Sequence, residues 1–150
     1  MSSWKSLLKA VPTGWLLEKD NPLVRYFTLT DILGKLEDDS EVREAKDETM
    51  EVGVVPKILA KQSNEGYRET PRDFYTPKYK GTVWSLIFLA ELGADGKDER
   101  IRKAREFILN NSQDPESGGF AYARRKGDGG RHRIVLPCLT GNMVWSLIRF

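Results

Sequence analysis

The pentapeptide "VWSLI" occurs twice, at 83–87 and again at 144–148. Each copy sits in a nearly apolar run, "GTVWSLIFLAELG" and "CLTGNMVWSLIRF". A helix that is hydrophobic on almost all sides belongs at the centre of a fold, so both runs are expected to be central helices, the first ended by Gly93. A second pair of similar stretches lies between other helices: "AKQSNEGYRE" at 60–69 and "NNSQDPESGGFAY" at 110–122. Each has a Gln, then Gly, then an aromatic residue. The two pentapeptides are 61 residues apart and the two Gln residues 51, so a repeat that carries insertions is expected. A period of that size points to a pair of helices as the repeating unit. Such pairs bury their apolar faces only by stacking on neighbours.

The remaining segments fit the same plan. "NPLVRYFTLTDILGK" predicts a helix capped by Asn21, opened by Pro22 and stopped at Gly34, with an apolar stripe of Leu23, Phe27 and Leu33 beside Val24, Tyr26 and Ile32. "SEVREAKDETM" predicts a helix capped by Ser40. Its thin apolar face (Val42, Ala45, Met50) places it on the outside. "VVPKILAKQ" is a short third segment. "RETPRDFYTPKYKG", with two prolines and three aromatic residues, reads as an ordered loop. "DERIRKAREFILNN" is amphipathic, with Ile101, Ala104, Phe107 and Ile108 on one side and Arg102, Arg105 and Glu106 on the other. Asp98 and Glu99 suit its positive end. No segment alternates cleanly like a strand, and "RIVLP" is the only candidate. Trp4 and Trp15 are read as packing residues.

Composition removes several classes. Hydrophobic residues are 39% and charged residues 31%, a globular balance, and the net charge of +2 does not point to nucleic acid. One cysteine leaves no internal disulfide and fits a reducing, cytoplasmic setting. No apolar run reaches the ~20 residues that span a bilayer, and the first twenty residues are too polar and broken for a secretory signal. The chain stops inside the apolar run "MVWSLIRF", which leads us to expect a longer repeat array continuing past Phe150.

The stretch "KAREFILNNSQDPESGGF" resembles the repeat of the terpenoid cyclase and protein prenyltransferase superfamily, often called the QW motif. The matching positions are Lys103, Ala104, Phe107, Ile108, Gln113, Gly119 and Phe120. Ile108 to Gln113 is one residue longer than the commonest form, and Phe120 stands where the cyclases have Trp. An earlier, shorter copy is formed by Ile58, Leu59, Gln62, Gly66 and Tyr67, without the basic and small residues upstream. The resemblance implies an α/α toroid, a double ring of helices, with the "VWSLI" helices in the inner ring and the amphipathic ones outside. It covers roughly 55–150, while 1–54 forms a separate set of N-terminal helices that suits a HEAT-like pair. The physical role of the motif needs no family. Gln can bond backbone groups of the next helix, Gly allows a sharp turn, and the aromatic residue covers the joint.

The catalytic signatures of that superfamily are not complete here. There is no D-x-D-D motif, and "EDDSE" at 37–41 lacks its spacing. The zinc-ligand candidates are His132 and Cys138, short of the three or four protein ligands that a zinc site uses, so no cofactor is evident. The bland reading makes Cys138 a small packing residue and His132 a solvated one. Arg124, Arg125 and Arg131, in a loop with Lys126, His132, Arg133 and three glycines, are anion-binding candidates; the bland reading is a solvated loop. Trp84, Trp145 and Tyr79, with Phe74 and Tyr75, are candidates for lining an apolar cavity or, more simply, for core.

The expectation is therefore an all-α fold of stacked helical hairpins, part of an α/α toroid. Its ligand would be an isoprenoid-type apolar molecule held only in the complete ring. Two other readings stand beside it: a non-catalytic helical-repeat scaffold for protein binding, and an anion- or nucleic-acid-binding module using 124–133. An uncovered repeat edge would also favour self-association.

Overall fold

The computed structural model describes residues 9–122 and 134–150. The fold is all-α, and among the described residues strand pairing is limited to the isolated bridges Gln113↔Phe120 and Ala121↔Val135. The described part of "RIVLP", residues 134–137, thus contributes one bridging residue, Val135, rather than a strand. No helix among the described residues is long and apolar enough to cross a membrane. The chain divides into two compact units, Met1–Gly53 and Val54–Phe150.

The first unit contains α1 (Thr13–Leu16), α2 (Pro22–Phe27) and α3 (Ser40–Glu51). Asn21 caps α2 by accepting from the Val24 N–H at 3.4 Å. The last turns of this helix widen into a π-helical stretch, Thr28–Ile32. One extra residue in a turn rotates the later side chains by about 100°. The expected stripe is therefore displaced: Tyr26 and Leu29 are buried, while Ile32 and Leu33 are exposed. Gly34, at φ +67°, ends the segment as its composition predicts. Helix α3 departs from expectation twice. Its cap is Asp39, not Ser40, because the Asp39 carboxylate accepts from the Glu41 N–H at 2.8 Å. Its thin apolar face is not an outside face, for Val42 and Ala45 are fully buried against Tyr26 and Leu29. Small residues there let α2 and α3 approach closely. Trp15, expected to pack, is instead 70% exposed; Trp4 lies outside the described residues.

The second unit contains α4 (Val54–Leu59), α5 (Thr82–Glu91), α6 (Glu99–Ser112) and α7 (Pro137–Arg149). Helix α5 packs against α4, α6 and α7, the central position its all-round apolarity predicts. Its Val83 and Leu86 share a core with Phe107 and Ile108 of α6 and with Leu139 and Met143 of α7. The Pro-rich loop 68–81 is ordered around Phe74, a fully buried plug whose carbonyl accepts from the Val83 N–H at 3.1 Å. Asp98 caps α6 through the Arg100 N–H at 2.8 Å and pairs with the Arg100 guanidinium.

Two capping carboxylates, Asp98 and Asp39, and the ion-paired Glu44 carry a pH dependence. The Arg100 side chain holds the Asp98 carboxyl below its ordinary range, the Glu41 backbone N–H and then Lys35 do the same for Asp39, and Lys19 and then Arg25 for Glu44. A carboxyl depressed in the folded state stabilises above its unfolded pKa, and that contribution disappears as pH falls through the folded value. Stability measured by thermal unfolding should therefore decline as pH drops below about 4. Asp98→Ala should lower stability by about 1 kcal/mol at neutral pH through loss of the cap, and its acid sensitivity should be weaker than that of the parent protein.

Candidate functional site

The two Gln–Gly–aromatic loops fold alike. In the first, the Ser63 N–H donates to the Tyr67 carbonyl at 2.8 Å, and the Gly66 N–H to the Ser63 carbonyl at 3.0 Å. In the second, the Asp114 N–H donates to the Gly119 carbonyl at 2.8 Å, and the Gly118 N–H to the Asp114 carbonyl at 2.8 Å. Each loop has one glycine at positive φ, Gly66 at +94° and Gly118 at +73°. The turn glycine of the second loop is thus Gly118, not Gly119. Gly119 is needed for another reason: a Cβ there would lie 2.4 Å from Val135 Cγ1.

The two Gln side chains act differently. Gln62 Nε2 donates to the Arg100 carbonyl at 2.7 Å, across to the start of α6. Gln113 Nε2 stays within its own loop, near the Gly118 carbonyl at 3.4 Å. The aromatic residues also differ. Tyr67 packs its ring against Phe107 with centroids 5.6 Å apart, and Phe120 is buried in the core. The loops finish on the apolar helices through threonines: the Arg68 N–H donates to Thr82 Oγ1 and the Phe120 N–H to Thr140 Oγ1, both at 2.9 Å.

A cleft of about 490 Å³ opens beside the first loop, between α4, α5 and the Pro-rich segment. Val54, Ile58, Phe88, Leu92 and Tyr79 give it apolar walls, and Lys57, Lys61, Arg68 and Glu91 give it charge. Tyr79 is held at φ +63°, a conformation that side chains other than glycine rarely adopt. Its ring leans on Trp84 and Phe88. Arg68 is only 7% exposed. Its Nη1 donates to Ser85 Oγ at 2.8 Å, and its Nε is buried with no acceptor. Burial lowers the pKa of this guanidinium, and the charge of Glu69 opposes that effect. The lining offers cations, apolar surface and one carboxylate, a set suited to holding an amphipathic molecule.

Of the three aromatic residues put forward as cavity lining, Tyr79 lines this cleft; Trp84 and Trp145 do not. Trp84 stacks on Tyr75 and donates its indole N–H to the Tyr75 carbonyl at 2.8 Å. Trp145 is exposed, with the Arg149 guanidinium 4.8 Å from its ring centroid. Cys138 is at the start of α7 but exposed, which corrects the reading of it as a packing residue. Among the described residues no group of three or more His, Cys, Asp or Glu side chains could hold a metal ion. His132, Arg124, Arg125 and Arg131 lie outside the described residues.

Comparison of the chain with protein-family models, with curated proteins and with solved structures gives no match.

Arg68 escapes a reading of the sequence because "GYRET" looks like solvated loop. The available signal is Lys57 on a short apolar helix and Lys61 in the turn after it, with a third cation directly after the loop aromatic.

The loop geometry makes a paired prediction. A Cβ at Gly66 would meet the Lys103 carbonyl oxygen at 2.3 Å, on top of the positive φ. Gly66→Ala should cost about 2–3 kcal/mol. Gly141 lies inside α7 with nothing within 4 Å of an added Cβ. Gly141→Ala should stabilise by roughly 0.5–1 kcal/mol. Urea titrations of the two variants should move their midpoints in opposite directions.

Proposed function

We propose that this chain is a helical-repeat module of the α/α-toroid kind, similar in design to terpenoid cyclases and protein prenyltransferases. Hairpins of one outer and one inner helix stack side by side, and the complete ring encloses an apolar, isoprenoid-type ligand. The observation that carries this reading is the reach of Gln62 from the first loop to the Arg100 carbonyl, beside the close approach of Gly66 to Lys103. A loop that ends one hairpin and grips the next outer helix is what such a repeat requires. The reading assigns no reaction: the sequence has no D-x-D-D motif, and among the described residues no group of three or more His, Cys, Asp or Glu side chains could hold a metal ion. Its single cysteine suits a cytoplasmic setting.

The uneven burial of the repeated pentapeptide gives further support. Val83 in α5 is fully buried, whereas its counterpart Val144 in α7 is 46% exposed and Ile148 is 78% exposed. Helix α5 is covered because α7 lays Leu139 and Met143 against it. By the same rule the open face of α7 fits another helix with residues of that kind. That face also favours a second reading, a non-catalytic scaffold that binds a protein partner through Val144, Trp145 and Ile148.

Light scattering behind a sizing column tests the first step. The chain on its own should self-associate, and Ile148→Asp should make it monomeric without lowering its melting temperature. A monodisperse parent monomer that binds no apolar dye would overturn the repeat-edge argument. An isoprenoid alcohol that stabilises the assembled form but not the Ile148→Asp monomer favours the toroid. No response to the alcohol favours the scaffold.

A further inference from the structure

The cleft beside the first loop lies wholly on α4, α5 and the segment between them, and it stands independently of the toroid reading. Its central feature is the buried cation. A guanidinium carries five N–H donors in a planar fork. In Arg68 one of its nitrogens donates to Ser85 Oγ and Nε has no acceptor; the neighbouring Glu69 charge opposes the cost of burial, but no ion pair with Arg68 forms among the described residues. Ser85 is already committed, since its hydroxyl donates to the Gly81 carbonyl at 3.1 Å. A buried charge without a hydrogen-bonded ion-pair partner is unfavourable unless something supplies one.

The surroundings say what kind of partner fits. The planar edge of a guanidinium matches a carboxylate, which can accept two parallel N–H bonds. The walls next to Arg68 are apolar, with Ile58, Phe88 and the Tyr79 ring along the cleft. Lys57 and Lys61 add positive charge at exposed positions, favouring an incoming anion. Glu91 on the same wall disfavours a doubly charged head such as a phosphate monoester. The volume of about 490 Å³ is that of a small-molecule site. We propose that this cleft binds a monoanionic molecule with a carboxylate head and an apolar body, of the fatty-acid or aryl-acid type, with its carboxylate on Arg68.

Calorimetric titration of the full chain with decanoate, decanol and decyl phosphate tests the proposal. Decanoate should bind saturably at one site and raise the melting temperature. Decanol, with the same tail and no charge, should not saturate. In Arg68→Met the affinity for decanoate should fall by about tenfold or more, the loss expected for a charge-assisted hydrogen bond. Equal affinity of parent and Arg68→Met, equal binding of decanol, or a preference for decyl phosphate would each overturn it. If Arg68→Met does not fold, Lys61→Glu at an exposed position replaces it. A severalfold loss of decanoate affinity there supports the site, and an unchanged affinity overturns it.

Discussion

The second unit depends on one place where two backbones touch. Gly66 sits so close to the Lys103 carbonyl that no side chain fits between them. That contact brings the first loop onto α6. It lets Gln62 reach Arg100 and Tyr67 lie against Phe107. The next residue, Arg68, is then tied by its N–H to Thr82 at the start of α5. The short turn 62–68 thus sets the positions of three helices relative to each other. This is the structural work of a joint between helices.

The repeated pentapeptide separates what a sequence dictates from what its neighbours dictate. Both copies are helical, and in both the serine hydroxyl donates to the carbonyl four residues back, Gly81 for Ser85 and Asn142 for Ser146. Local structure is therefore the same. Burial is not: Val83 and Leu86 are enclosed, while Val144 and Ile148 face outward. The serine is buried in both copies, but Val83 is core where Val144 is surface, and Ile87 is half-buried where Ile148 is exposed.

Much of the architecture was legible in the sequence. The starts of α2 and α6, the central place of α5 and the stops at Gly34 and Gly93 come from capping chemistry and apolarity. Three features were not legible. The π stretch at Thr28–Ile32 shifts the helical phase, and no residue signals it; the Thr28 and Thr30 hydroxyls, which donate to the Val24 and Tyr26 carbonyls, do accompany it. The burial of α3 was hidden because Ala45 counts little in a hydrophobic stripe, yet its smallness allows close packing. The candidate cleft was hidden most completely. Its defining residue is one arginine in a polar stretch, and the burial of that arginine without an ion pair among the described residues is a matter of three-dimensional placement.

Helix α7 also bears on how the second unit opens. Its only described helix-to-helix packing of any extent is with α5, whereas α5 is held by α4, α6 and α7 together. Free energies of local opening track the number of sides from which an element is enclosed. The amides of α7 therefore belong to a less protected layer than those of α5, although the two helices share a pentapeptide letter for letter. Anything that covers the face of Val144 and Ile148 raises that protection, so exchange at α7 reports on occupancy of this surface as well as on folding.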